Sequence, residues 1–436
     1  MHTVKSLYLF LSLFLAFISF SQEKWSLQKC FEHAMDSNLT IQSKQVDLLI
    51  AEIQQKQNRL NALPNLNAGA THGFNWGQSI DPFTNQFASD RIRTNNLYAG
   101  SNWDIFSGLQ NHYLKRQGNL NMDLKLYEIE LAKRNLKIDI TAAFMQIVLN
   151  NALKIAAQSQ VDYAIKSEQL AKEKLDLGYI TTYDYLAISS QLALDSVRLI
   201  QAENNEKHSV LLLKQLLNLE EDILVDIPGI DHLENKTYTY NKDNYTQNPE
   251  FQLAQIQTDL QAFQLKLAKS RLIPTMAINS SIGSGYSGNN KTLVGSEFLP
   301  KPFNVQLQEN FYQSSVLTLN VPIFNNGRVR SEIKIAEAEL TRTKIDQEIM
   351  FQQLRNQLDQ LENEINNEKV NLDAQRRAKN TFEKRLQAAE IQYESGNLNV
   401  QNYLDTRNNY FEYKAAYVKS LILLRFKEEM MGLIFQ

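Results

Sequence analysis

Gly283-Ser284-Gly285-Tyr286-Ser287-Gly288 spells G-x-G-x-x-G, a spacing that cradles phosphates when it joins a strand to a helix inside a βαβ unit. Here Asn289-Asn290-Lys291 opens a loop and no such unit is near, so small residues facing a barrel lumen explain it better. The six histidines, at 2, 33, 72, 112, 208 and 232, lack metal-ligand spacing. Glu220-Glu221 and Glu428-Glu429 read as solvated charge on helix surfaces. Cys30 is the only cysteine, so no intrachain disulfide can form. No nucleophile stands in a motif with a base. The chain reads as neither an enzyme nor a cofactor protein, and energy for any transport must come from a partner. A net charge of −3 with mixed signs gives no case for nucleic acid.

The elements carry more. The eight prolines fall at 64, 82, 228, 249, 274, 300, 302 and 322. The stretches 83–227 and 323–436, free of proline and rich in Leu, Ala, Gln, Glu and Lys, predict long helices. Lys5 followed by a largely apolar run 14 residues long, Leu7–Phe20, predicts a signal peptide over 1–21, with Ser19 and Ser21 as the small residues before the cleavage point. No later stretch reads as a membrane-spanning helix. An exported chain of this kind is periplasmic, secreted or an outer-membrane β-barrel.

The chain is duplicated. Asn38 leading to Leu63-Pro64 recurs as Asn248 leading to Ile273-Pro274, and Gly178…Leu186 recurs as Gly396…Leu404. The offset grows from 210 to 218, so the second outer loop is the longer. The first repeat covers 22–221, a linker covers 222–246, and the second repeat covers 247–436. After each proline the period changes from about 3.6 to 2. Leu66, Ala68, Ala70, His72, Phe74 and Trp76 alternate with Asn67, Gly69, Thr71, Gly73 and Asn75. One apolar face and one small polar face is the pattern of a membrane barrel strand. Hairpins are expected at about 66–106 and 275–323, with Pro322 at the second hairpin's boundary. Beyond each hairpin a helix of about 70 residues, or about 105 Å, is expected, with coiled-coil heptad spacing at Leu124, Leu131, Ile138 and Met145, interleaved with Tyr127, Thr141, Val148 and Ile155, and later at Leu354, Leu358, Leu361, Ile365 and Leu372.

Four strands cannot close a barrel, and open edges cannot face lipid. Two copies would give eight strands with little lumen; three would give twelve around water. The fold class is thus a mixed α and β membrane protein, in which a homotrimer closes a β-barrel continued by a ring of helices.

In this layout, the chain resembles the TolC-like outer membrane efflux proteins over residues 25–433. The strand-to-helix turns carry the likeness locally: Pro64 and Pro274 before the strands, Asp104-Ile105-Phe106-Ser107-Gly108, and Pro322-Ile323-Phe324-Asn325-Asn326-Gly327-Arg328. The resemblance implies a 12-stranded barrel, an α-helical periplasmic tunnel, and a passive duct docked to a periplasmic adaptor and an inner-membrane pump. It implies a periplasmic gate at Tyr393 and Asp405, with Asp184 beside Tyr183 in the first repeat. Asn402 stands where the family has a second ring carboxylate, and Leu398 where it has an arginine, so a less charged gate is expected. It also implies adaptor docking at Gly178-Tyr179-Ile180 and Gly396-Asn397-Leu398. Each of these residues has a plainer reading too. Thr181 to Asp184 is the spacing of a capping box, Asp405 can be a solvated helix residue, and the glycines permit a turn. The rival functions are a periplasmic coiled-coil adaptor and a structural surface protein, such as an adhesin or a surface enzyme on a coiled-coil stalk. Two hairpins and four amphipathic strands disfavour the first. The second lacks a head domain and a catalytic constellation.

Overall fold

The computed structural model describes residues 24–85, 87–88, 91–220, 223–228 and 248–435. The expected signal peptide and most of the expected linker lie outside them. In chain order the elements are β1 (Lys24–Trp25), α1 (Leu27–Ser37), α2 (Leu39–Leu60), β2 (Asn67–Asn75), β3 (Ser79–Ile80), β4 (Phe87–Ala88), β5 (Ile92–Phe106), α3 (Gln110–Asp176) and α4 (Thr182–Leu216). Then come β6 (Leu224–Val225), α5 (Pro249–Ser270), β7 (Thr275–Ser287), β8 (Lys291–Val294), β9 (Glu297–Pro300), α6 (Phe303–Glu309), β10 (Tyr312–Asn320), α7 (Arg328–Glu394) and α8 (Val400–Phe435).

The repeated asparagines start the short helices. Asn38 Oδ1 accepts from the N–H of Thr40 at 2.9 Å, and Asn248 Oδ1 accepts from the N–H of Glu250 at 2.9 Å. Asn38 Oδ1 also accepts from the N–H of Ile41 at 3.2 Å, and both side chains thus satisfy amides that the first helical turn leaves without a partner. Pro64 and Pro274 follow the ends of α2 and α5 and precede the strands. At the strand-to-helix turns the chain passes through left-handed backbone, at Gly108 (φ 62°) and Leu109 (φ 68°) in one repeat and at Asn326 (φ 54°) and Gly327 (φ 74°) in the other. Pro322 lies beyond β10, which ends at Asn320, so the second hairpin closes three residues earlier than its alternation predicts.

The chain forms two compact units. Of the described residues, those within Met1–Lys44, Glu128–Gln252 and Met350–Gln436 form one, and those within Gln45–Tyr127 and Leu253–Ile349 the other. Each draws on both repeats.

In the second unit, four strands form one antiparallel sheet in the order β10-β7-β5-β2. The register pairs Leu97 with Ala70, Trp103 with Ile278, and Ile278 with Leu317, which puts apolar side chains on one face. Tyr98, Gly69 and Gly283 share the other face with Asn279, Ser281 and Ser314. Among the described residues, β10 and β2 each pair on one side only. Leu97, Trp103, Ile282, Leu317 and Leu319 are exposed.

In the first unit, Cys30, Ala34 and Ile41 pack with Ile140, Phe144 and Ile147 of α3, with Leu213 and Leu217, and with Val418 and Ile422. Burying each large aliphatic side chain contributes about 1.5–3 kcal/mol. A separate cluster joins Leu358, Ile365 and Leu372 of α7 to Leu421, Leu424 and Met431 of α8, with Ile138 against it. α3 buries Leu136, Ile140 and Phe144 in the first cluster and sets the half-buried Ile138 against the second, so one 3.5-residue seam does not describe it. Ile155, expected in the seam, is exposed. Leu354, Leu358, Ile365 and Leu372 are buried. Contrary to expectation, α3 contains an 18-residue stretch apolar enough to cross a membrane; part of that stretch is buried inside the protein.

The expected linker also contributes structure. Leu224-Val225 pairs in parallel with Lys24-Trp25. Two residues are too short for periodicity to reveal, and the pairing spans 200 residues of chain.

Candidate functional site

The helical tips bring most of the nominated residues together within the first unit. α3 ends at Gly178 (φ 75°), with the N–H of Tyr179 donating to Lys174 O at 2.8 Å. α7 ends likewise at Gly396 (φ 76°), with the N–H of Asn397 donating to Gln392 O at 2.8 Å. Both are glycine-terminated helix ends of the Schellman type. α4 then opens on a capping box. The N–H of Asp184 donates to Thr181 Oγ1 at 3.1 Å, and the N–H of Thr181 donates to Asp184 Oδ2 at 3.3 Å. α8 opens on Asn399, whose Oδ1 accepts from the N–H of Asn402 at 2.8 Å.

A cavity of about 580 Å³ lies between the two tips. Tyr179, Ile180, Asp184, Tyr393, Gly396 and Leu398 are among the residues that line it. Tyr393 is buried and stacks on Tyr403, with centroids 4.6 Å apart and planes 11° from parallel. Lys174 Nζ stands 4.5 Å from the Tyr393 ring centroid and donates to its backbone O at 3.2 Å. Among the described residues the buried Tyr393 hydroxyl has no hydrogen-bond partner. Burial raises its pKa above the ordinary phenol value, and the nearby Tyr403 and the charge of Asp184 add to this. Tyr393 and Asp184 thus share a cavity without a bond between them.

The other nominated residues stand apart from the cavity lining. Tyr183, Asn402 and Asp405 are exposed, and Asp405 Oδ1 accepts from Gln401 Nε2 at 3.0 Å. Asn402 and Asp405, three residues apart on α8, lie on one face of that helix. Asn397 follows Gly396 in the turn between α7 and α8.

A polar cluster that sequence reading misses lies on the same helices. Arg407 Nη2 donates to Asp195 Oδ2 at 2.6 Å and to Gln160 O at 2.8 Å. Asp195 Oδ1 accepts from Gln160 Nε2 at 2.7 Å and Gln191 Nε2 at 3.0 Å. The guanidinium lies 5.4 Å from the Tyr163 ring and 5.3 Å from the Phe411 ring. Tyr163 donates to Glu390 and accepts from the Tyr403 hydroxyl at 3.1 Å. Residues of α3, α4, α7 and α8 are joined in this way. One signal was available. Leu404, Arg407 and Phe411 fall on one apolar helical stripe, where a charge needs a buried partner. The partner itself was not legible, because at the 218-residue offset Arg407 corresponds to Ser189 and Asp195 to Tyr413. Among the described residues no cluster of His, Cys, Asp and Glu is placed to hold a metal ion.

Residues 244–421 match the family model described as outer membrane efflux protein. Over these residues the chain is similar to the outer membrane efflux proteins. Proteins of this family are transport channels and not enzymes. The matched residues fall within the second repeat and the segment just before it, and structural likeness extends over both repeats. CusC, solved in a study of folding and transmembrane channel formation, superimposes with a TM-score of 0.82 at 13% identity, over 94% of this chain and 91% of that one. VceC, an outer membrane protein of Vibrio cholerae, gives 0.78 at 13% identity, over 94% and 97% of the two chains. The CmeC outer membrane channel of Campylobacter jejuni gives 0.77 at 13% identity, over 94% and 86%. At these identities the likeness is one of fold. No curated protein matches the sequence.

Proposed function

We propose that the chain is a passive exit duct of the outer membrane, in which three copies close a 12-stranded barrel and their helices form a periplasmic tunnel. The observation that carries this reading is the sheet β10-β7-β5-β2, with one partner each for its edge strands and exposed leucines across from a face of Gly, Ser and Asn. Such edges are stable in lipid only when another copy completes them. The reading predicts a particle of three chains in detergent, measured by light scattering. A monomer or dimer would overturn it.

At the tips the proposed gate comprises Tyr393, Asp405, Asn402, Asp184 and Tyr183, closing the tunnel as an iris. Gly178, Tyr179, Ile180, Gly396, Asn397 and Leu398 form the docking surface for a periplasmic adaptor, and through it an inner-membrane pump. The match of residues 244–421 to the outer membrane efflux protein model supports this role, and the shared tip cavity supports the grouping of Tyr393 with Asp184. The gate is less charged than the family pattern, with Asn402 and Leu398 in place of ionised residues. In planar bilayers the trimer conducts weakly until the tip opens. A large constitutive conductance that Asp405→Ala leaves unchanged would remove Asp405 from the gate.

A further inference from the structure

The last five residues of β7, Gly283 to Ser287, are buried, although they end a strand whose neighbouring strand faces are open. They are covered from both sides. On the apolar face, α6 lies against them: Phe303 packs on Tyr286 with centroids 5.5 Å apart, and Ser284 Oγ donates to Leu307 O at 2.6 Å. Gln306 clasps the strand's end, accepting from the Ser287 N–H at 2.9 Å and donating to Ser287 O at 3.1 Å.

The cover on the other face comes from the first hairpin. Gly285 and Ser287 continue the i, i+2 series of Asn279, Ser281 and Gly283, so they point to the small polar face of the sheet. The loop at 81–85 is folded onto them. Asp81 is buried and accepts from the N–H of Phe83 at 2.9 Å, from the N–H of Thr84 at 3.3 Å, and from the Ser287 hydroxyl. This seats the Phe83 ring on Gly285, where an added Cβ would lie 1.8 Å from Phe83 Cζ. The glycine spacing that imitates a phosphate loop is thereby explained: Gly285 receives Phe83, and Gly283 receives the Tyr312 ring, whose Cζ is 2.6 Å from an added Cβ.

We infer that the 81–85 loop is folded into the outer mouth of the duct and that Phe83 sets the size limit for solutes entering there. The inference rests on the channel reading, which makes the small polar face the lumen. A loop that hung in solvent would need neither a buried carboxylate anchor nor a glycine seat. A ring held by both narrows the opening once per protomer.

Size-graded labelling tests it. The full chain carries Asn279→Cys, on the lumen face of β7, in the outer membrane of intact host cells. Cys30 is buried and stays silent. A small impermeant thiol reagent labels position 279. A polymer-tethered reagent labels it only when Phe83→Ala removes the ring or Gly285→Ala displaces it, and Gly285→Ala adds nothing once Phe83 is alanine. The inference is overturned if the tethered reagent reacts at the same rate with Phe83 and Gly285 intact, or if the two substitutions act additively. If both reagents label Ile278→Cys and neither labels Asn279→Cys, the lumen is on the other face, and the channel reading falls along with the inference.

Discussion

Arg407 and Asp195 form a buried ion pair at 2.6 Å, with side chains 1% and 0% exposed, between the second repeat and the first. A charge held there without its partner has no water to solvate it. Arg407→Met or Asp195→Leu alone therefore costs about 3–5 kcal/mol, while the double variant, which removes both charges, costs far less. Thermal melting of the assembled protein checks this. Additive losses would show that the pair acts as two independent groups.

At the tip, Tyr393 contributes through its ring. Its hydroxyl has no partner among the described residues, while its face stacks on Tyr403 and under Lys174. Tyr393→Phe is expected to leave both melting temperature and conductance near the parent's, or to stabilise slightly. Tyr393→Ala, which leaves a cavity, costs about 3–5 kcal/mol and raises conductance. A Tyr393→Phe channel that stands open would mean that the hydroxyl closes the gate.

The glycines at the turns separate backbone strain from crowding. Nothing lies within 4 Å of a Cβ at Gly178 or Gly396, so alanine there carries only the left-handed backbone penalty of about 1–2 kcal/mol. At Gly108 the added Cβ also meets Ser270 O at 3.0 Å and Ile273 O at 3.2 Å. Gly108→Ala is expected to destabilise more than Gly396→Ala, as measured by denaturation of each variant. Equal losses would remove crowding from the account.

Cys30 offers a pH test. Burial pushes its thiol up from 9.0 to about 11, against weaker opposing effects of a backbone hydrogen bond and Lys29. A thiol whose folded pKa is raised supplies stability that is full below 9.0 and is lost as pH rises through about 11. Cys30→Ser shortens that alkaline decline. At pH 8 a water-soluble thiol reagent is expected to leave Cys30 unmodified until the protein is denatured. Rapid labelling of the native protein would contradict its burial among Ala34, Ile41 and Ile140.

Much of the architecture is legible in local chemistry. Asn38 and Asn248 start helices because their side chains replace a missing carbonyl, and Gly178 and Gly396 end them because only glycine adopts left-handed backbone without penalty. The change of period after Pro64 and Pro274 marks the strands, and Thr181 with Asp184 forms the box their spacing predicts. These are properties of a few neighbouring residues, so the sequence by itself determined them. Tertiary structure decided which distant residues meet. Arg407 and Asp195 are 212 residues apart, Ser287 and Asp81 are 206 apart, and neither pair follows from the repeat. Such contacts depend on the rotation of packed helices and the register of paired strands, which sum over the whole chain. For the same reason the seam of α3 divides between two cores, Tyr393 is buried beside a capped Asp184 without bonding it, and a glycine-rich run that looks like a phosphate cradle becomes the seat for Phe83.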